Sequence, residues 1–219
     1  MLDLNSNLIE IARPNNQDAL RQVMLVNALS IVGVDANTSK SKFEQLLGPV
    51  NGRWDLDRPF KCYQSNGRWI TEGVSTCALV CRGLWRRIKV DMNALYNNYV
   101  FGTAISAEKQ FAIMHNTWIE GQTAGSLIPS NGDYLIIGNN INIHALICIG
   151  WNKDIMISVD GGQIDSIGLQ CIKQCERRWI IKSDGPYLGT RKVLGWINLC
   201  GLPFKDENIL VPEHWENVG

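Results

Sequence analysis

The apolar pattern of this chain changes its period partway along, and that change limits the folds open to it. Up to about residue 118 the periodic stretches carry their apolar residues at helical spacing, around a mixed region over 34–73 with turn signals at Gly48-Pro49, Asn51-Gly52 and Asn66-Gly67. From Tyr134 onward the apolar residues gather in short, β-branched-rich runs divided by turn residues. Ala19, Leu20, Val23, Met24, Val26, Leu29 and Ile31 give one broad face to a helix over 17–33. A second helix is expected from Cys77 to about Ile88, and a third over 105–118, with Phe111, Ile113, Met114 and Trp118, closed by Gly121. Strands are expected at 134–137, 145–151, 155–159 and 191–197, with a hairpin at Asn152-Lys153 and a helical piece near 165–175. Helices first and strands later is an α+β order, with an antiparallel sheet rather than alternating βαβ units.

The chain has 219 residues, enough to bury a sizeable core, and no internal repeat or low-complexity tract divides it. One domain over 1–219 is expected, with 1–55 as an N-terminal helical extension and 202–219 as a C-terminal tail carrying Pro203 and Pro212. Twenty-one basic and 21 acidic residues cancel, which gives no electrostatic case for nucleic acid. No apolar run approaches the roughly 18 residues of a membrane span. Met1-Leu2-Asp3-Leu4-Asn5-Ser6 has neither a basic nor an apolar leader region, so synthesis in the cytoplasm without a signal peptide is expected. In that setting the seven cysteines read as mostly reduced thiols.

Among them Cys77 stands out. It follows Gly73-Val74-Ser75-Thr76, a polar stretch ending in a good N-cap type, and precedes the helical pattern of Leu79, Val80 and Leu84. A thiol in the first turn of a helix meets the positive end of the helix dipole, which favours the thiolate. A cysteine nucleophile also needs a base, and three histidines are available. His115 lies inside a helical pattern and His214 in the tail, whereas His144 opens an apolar strand after Gly- and Asn-rich turns. The base needs a third polar group to fix its ring. With the hairpin at Asn152-Lys153, Asp160 falls close to His144 on the neighbouring strand. Strand parity puts Asp154, Met156, Ser158 and Asp160 on one face, with Ser158 and Gln163 as rivals for the same role. The backbone N–H of Cys77 and the side chain of Ser75 are the candidate oxyanion donors, and Gln163 is a candidate substrate contact.

The segments GVSTCALVCRGLWRR, GDYLIIGNNINIHALICIGW and ISVDGGQID resemble the NlpC-type branch of the papain-like cysteine peptidases and the related CHAP amidases. In that family a Cys begins a helix, a Gly-Asp pair opens the next strand, a His opens the strand after it, and a third polar residue follows one strand on. Cys77, Gly132-Asp133, His144 and Asp160 match in order, across roughly residues 60–165. The chain departs from the family in having Thr76-Cys77-Ala78-Leu79 where Asp-Cys-Ser-Gly is usual, and Asp160 where the third residue is often His. The resemblance implies a single papain-like catalytic domain, its nucleophile at a helix start packed on an antiparallel sheet. It also implies hydrolysis of peptide or amide bonds in bacterial peptidoglycan stem peptides, without a cofactor or metal. A compact, leaderless member is similar to the amidase toxins delivered by type VI secretion. That similarity implies action in the periplasm of a target bacterium and two partners, a cognate immunity protein and a secretion-apparatus component.

Two other readings use the same residues. Cys77/Cys81 and Cys171/Cys175 are i, i+4 pairs, which on helices share a face and could hold structural zinc with a His. Alternatively the chain is a catalytically inactive binding module of the same fold, with some of its eight tryptophans lining a sugar or peptide groove.

Overall fold

The computed structural model describes residues 7–35, 39–47, 61–65, 68–72, 76–92, 104–138, 143–166, 170–213 and 215–217. Its frame is a run of antiparallel strands: β5 (Tyr134–Gly138), β6 (Ile143–Asn152), β7 (Ile155–Ile164), β8 (Gln170–Lys182), β9 (Gly185–Leu188) and β10 (Arg191–Ile197). Each pairs with the next, and β10 pairs with both β9 and β5, so the sheet closes into a six-strand antiparallel barrel. A short strand, β4 (Trp118–Glu120), adds to the last residues of β10. Two further pairs stand apart: β1 (Leu8–Ile11) with β11 (Ile209–Pro212), and β2 (Lys61–Ser65) with β3 (Arg68–Glu72). Four α-helices accompany them among the described residues: α1 (Gln17–Leu29), α2 (Lys40–Leu47), α3 (Cys77–Arg87) and α4 (Ala104–Met114).

This corrects the expected α+β, papain-like arrangement of helices laid on an antiparallel sheet. The molecule is mostly β, and its principal sheet is a closed barrel. Closure depends on β10. Its first two residues, Arg191 and Lys192, pair with β9, and a register shift between Val193 and Gly195 lets the rest pair with β5. Such a bulge bends a strand and increases its twist, which is how one strand serves two neighbours.

Two smaller expectations are also corrected. The segment near 165–175 is not helical where it is described: β8 starts at Gln170 and pairs along β7. The third helix ends at Met114 rather than 118, because Asn116 takes a left-handed conformation (φ 56°) and Trp118 begins β4. The 202–219 segment contributes β11, whose Ile209 and Val211 are fully buried beside α1 and α3.

The core has two layers separated by the barrel wall. Leu135, Ile137, Leu146, Cys148, Met156, Leu188 and Trp196 fill the inside of the barrel. Tyr134, Ile136, Ala145, Ile147 and Val159 point outward and pack with Val23, Val80 and Leu84 of α1 and α3. Strands buried on both faces need no polar alternation, which accounts for the unbroken apolar runs in β5 and β6. Every residue of α3 from Cys77 to Trp85 is buried, and Arg86 and Arg87 complement the negative end of its dipole. Gly83 allows α2 to close on it, since a Cβ there would collide with the backbone carbonyl and side chain of Leu46. No helix among the described residues is long and apolar enough to cross a membrane.

Candidate active site

The start of α3 is lashed to the barrel by its first residues. The buried Thr76 donates its backbone N–H to Gln170 Oε1 of β8 at 2.9 Å. Its hydroxyl, expected as an N-cap, instead accepts from the N–H of Gly162 in β7 at 3.0 Å. Next to that bond, Gly161 faces Val80 so closely that a Cβ would lie 2.6 Å from Val80 Cγ2. The register of β7 against β8 shifts between Asp160 and Gln163, so these glycines sit in a bulge shaped to the helix. Cys77, 4% exposed, is thereby held over one end of the barrel.

His144, the second residue of β6, is at that end, opposite Ile137 and on the inward face that carries Leu146 and Cys148. The β6–β7 hairpin turns at Lys153 (φ 56°) and Asp154, and its register pairs Ile147 with Val159. Continued, this register sets Asp160 opposite Leu146, a diagonal neighbour of His144, close enough for their side chains to meet. His144 Nε2 lies 2.7 Å from Asp160 Oδ2, with Asp160 wholly buried and His144 nearly so. With Nε2 engaged, Nδ1 is the ring nitrogen left for Cys77, to which the imidazole is also hydrogen-bonded.

The charges reinforce this line. Burial alone would strip the proton from His144. Hydrogen bonds to Asp160 and Cys77, and the negative charge of both, more than reverse that and raise its pKa to about 9. Burial pushes the Asp160 carboxyl up, but His144 and Arg177 outweigh it and hold the group below the ordinary carboxylate range. The imidazole and the carboxylate thus each stabilise the other's charged form.

Arg177 of β8 is the member that sequence reasoning missed. Its Nη2 donates to Asp160 Oδ2 at 2.7 Å, and its Nη1 to Asp160 Oδ1 at 3.3 Å and to Ser158 Oγ at 3.0 Å. Ser158, a rival for the role of Asp160, donates its hydroxyl to Asp160 Oδ1 at 2.6 Å and so supports it. The signal for Arg177 was parity: once 170–182 is a strand, the pairs Ser158–Cys175 and Met156–Arg177 put Arg177 on the face of Asp160. Gln163 lies past the bulge, opposite Cys171. Ser75 and His214 fall outside the described residues, and His115 packs its ring on Phe111 at 4.7 Å. Asp133 is structural: it accepts from Arg21 at 2.8 Å and from the backbone N–H groups of Ser130 and Leu199, tying α1 to the start of β5 and the end of β10.

Burial raises the pKa of Cys81, Cys148, Cys171, Cys175 and Cys200, with Cys148 reaching about 12, and the charge on Cys77 adds to the effect at Cys81. The pair Cys171/Cys175 lies on a strand, where four residues span roughly 13 Å, too far to share a metal ion. Among the described residues no cluster of three or more His, Cys, Asp or Glu could hold one. Trp151, Trp179 and Trp196 meet edge to face, at 5.6 and 6.3 Å, against the inner core of the barrel rather than along a groove. Compared with known proteins, the chain matches no family model, no curated protein and no solved structure.

Proposed function

We propose that this chain is a cysteine hydrolase that cleaves amide bonds by acyl transfer. The observation that carries the reading is the buried line from Cys77 through His144 to Asp160, in which the imidazole touches a thiol on one side and a carboxylate at 2.7 Å on the other. A thiol beside an imidazole that keeps its proton to pH about 9 favours a thiolate–imidazolium pair at neutral pH.

In this mechanism the Cys77 thiolate adds to the carbonyl carbon, and the positive end of α3 faces the developing oxyanion. Protonated His144 gives its proton to the leaving nitrogen as the C–N bond breaks, leaving an acyl thioester and a free amine. Neutral His144 then takes a proton from water, the hydroxide displaces Cys77, and the carboxylic acid leaves. Asp160 keeps the ring turned and stabilises its charged form throughout.

The substrate class rests on the three segments that resemble NlpC-type hydrolases, and not on the architecture, which is a closed barrel. They support peptidoglycan stem peptides as substrate, and with them the expectation of an antibacterial effector delivered by type VI secretion and neutralised by a cognate immunity protein.

Purified protein incubated with peptidoglycan fragments should yield new amine and carboxylate termini by mass spectrometry. Cys77→Ala and His144→Ala should each lose on the order of 10²-fold or more in rate. Intact fragments with the native protein, or full cleavage by Cys77→Ala, would overturn the reading. Iodoacetamide at pH 6 should label Cys77 ahead of the other described thiols, since burial keeps those protonated. First labelling at Cys175 or Cys200 would count against Cys77 as nucleophile.

A further inference from the structure

Asp160 Oδ2 is shared. His144 Nε2 approaches it at 2.7 Å from one side and Arg177 Nη2 at 2.7 Å from the other, while Oδ1 takes Ser158 Oγ at 2.6 Å and Arg177 Nη1 at 3.3 Å. The carboxylate is fully buried, whereas the Arg177 side chain keeps 22% of its surface exposed. A planar guanidinium that grips both oxygens fixes the plane of a carboxylate, which a single imidazole contact cannot do. We infer that Arg177 is a positioning residue: it fixes the Asp160 carboxylate against His144 and sets the pH range over which the imidazole keeps its proton.

The second half of this inference follows from the charges around the pair. Cys77 and Cys81 face it from α3, Asp160 itself comes from β7, and Cys175 and Arg177 come from β8. Lys173, opposite Asp160 across β7 and β8, turns its ammonium to the Ile164 carbonyl at 2.8 Å. Tyr134 of β5 is kept a neutral phenol by burial first, then by the charge of Glu108 on α4 and of Cys81 and Cys77, with Arg82 acting the other way. Cys81 is likewise a buried thiol whose pKa is pushed well up. Arg177 is therefore the cation that shares Asp160 with His144, and it offsets part of the charge that would otherwise hold the imidazole proton. Without it, His144 keeps its proton to a higher pH, and the carboxylate is free to tilt.

The activity readout rests on the acyl-transfer reading, but the titration readout does not. The test follows the His144 imidazole by NMR across pH in the native protein, Arg177→Gln and Arg177→Lys, with kcat and KM on a stem-peptide substrate measured alongside. Arg177→Gln should move the His144 titration and the alkaline limb of the rate profile upward by about one pH unit. Its kcat should fall on the order of tenfold or more, with KM little changed, because the carboxylate no longer fixes the ring. Arg177→Lys keeps the charge without the two-point grip, so the titration should stay close to native while kcat still falls. It also serves as the reading if Arg177→Gln does not fold. An unmoved His144 titration in folded Arg177→Gln, or native kcat in Arg177→Lys, would overturn the inference. A shifted titration in a protein whose native form cleaves no amide would leave Arg177 in its positioning role and reject the hydrolase reading instead.

Discussion

Helix α3 borders two buried carboxylates that are held in different ways. Asp160 is met by His144, Ser158 and Arg177, so both of its oxygens are occupied. Glu108 of α4 is met by Arg82 of α3 through one oxygen, and its Oε2 has no hydrogen-bond partner among the described residues. Both groups are fully buried, yet their pKa values move in opposite directions. Burial raises Glu108, and Arg82 only partly offsets it. Burial also acts to raise Asp160, but two cationic partners overcome it. The number and aim of the donors, not depth, decide whether a buried carboxylate stays charged. The Asp160 network continues through His144 to the Cys77 thiol. The Arg82–Glu108 pair joins α3 to α4.

The largest effect should come from breaking the network that ends on Cys77. Asp160→Asn keeps the size but replaces one acceptor oxygen with a donor, which favours the wrong imidazole tautomer and leaves Arg177 without an anion. Turnover of a stem-peptide substrate should fall on the order of 10²–10⁴-fold. Stability should change with pH in a definite sense. The folded Asp160 carboxyl is held below its ordinary value, so its contribution is complete above that value and is lost as pH falls. Thermal melts of Asp160→Asn should accordingly lose less on acidification than the native protein does. Native turnover in a folded Asp160→Asn would show that the carboxylate does not orient His144.

The matching change on the other side of the comparison is Arg82→Met. It leaves Glu108 buried without its cation, at a cost of about 3–5 kcal/mol. For a chain of this size that lowers Tm by roughly 2–4 °C per kcal/mol. The double replacement Arg82→Met with Glu108→Leu should recover most of the loss, because an apolar pair needs no compensating charge. Rate per folded molecule should stay within a few-fold of native. A rate loss as deep as that of Asp160→Asn would mean that the two networks are coupled through Cys81, which senses Asp160, Cys77 and Glu108.

Cys77, His144 and Asp160 could be read from the sequence because each sits at a local change of pattern: a helix start, a strand start and a Gly-Gly bulge after a hairpin. Arg177 could not, because its place depends on β8, whose first residues read as a helical piece near 165–175. Cys171, Ile172 and Cys175 recur at intervals that also suit a helix, and the polar residues from Lys173 to Arg178 hide the strand alternation. Barrel closure was equally hidden. It depends on β10 meeting β5, more than fifty positions earlier, and on a bulge at Leu194 that only the single strand glycine, Gly195, marks. Short apolar runs indicate strands, but they do not say whether the sheet they form stays open. The order of helices before strands was therefore legible in part, while the architecture it suggested was not.

The smallest expected effect tests how the site ends along β7. Gln163 is three positions past Asp160, but the register shift between them sets it opposite Cys171, half-buried and beyond the two glycines that face α3. The bulge returns Gln163 to the face of Asp160, but two partner positions further along β8, past the carboxylate that meets His144. Gln163→Ala should leave the His144 titration unmoved and stability within about 0.5 kcal/mol of native, as for a surface substitution away from buried contacts. It should change kcat/KM by no more than a few-fold. Ser158→Ala provides the contrast, because it removes a donor from Asp160 Oδ1 inside the wall. It should cost about 1–3 kcal/mol, with a larger fall in kcat. If Gln163→Ala proves the more damaging of the two, Gln163 rather than Ser158 is the side chain of β7 that supports the site.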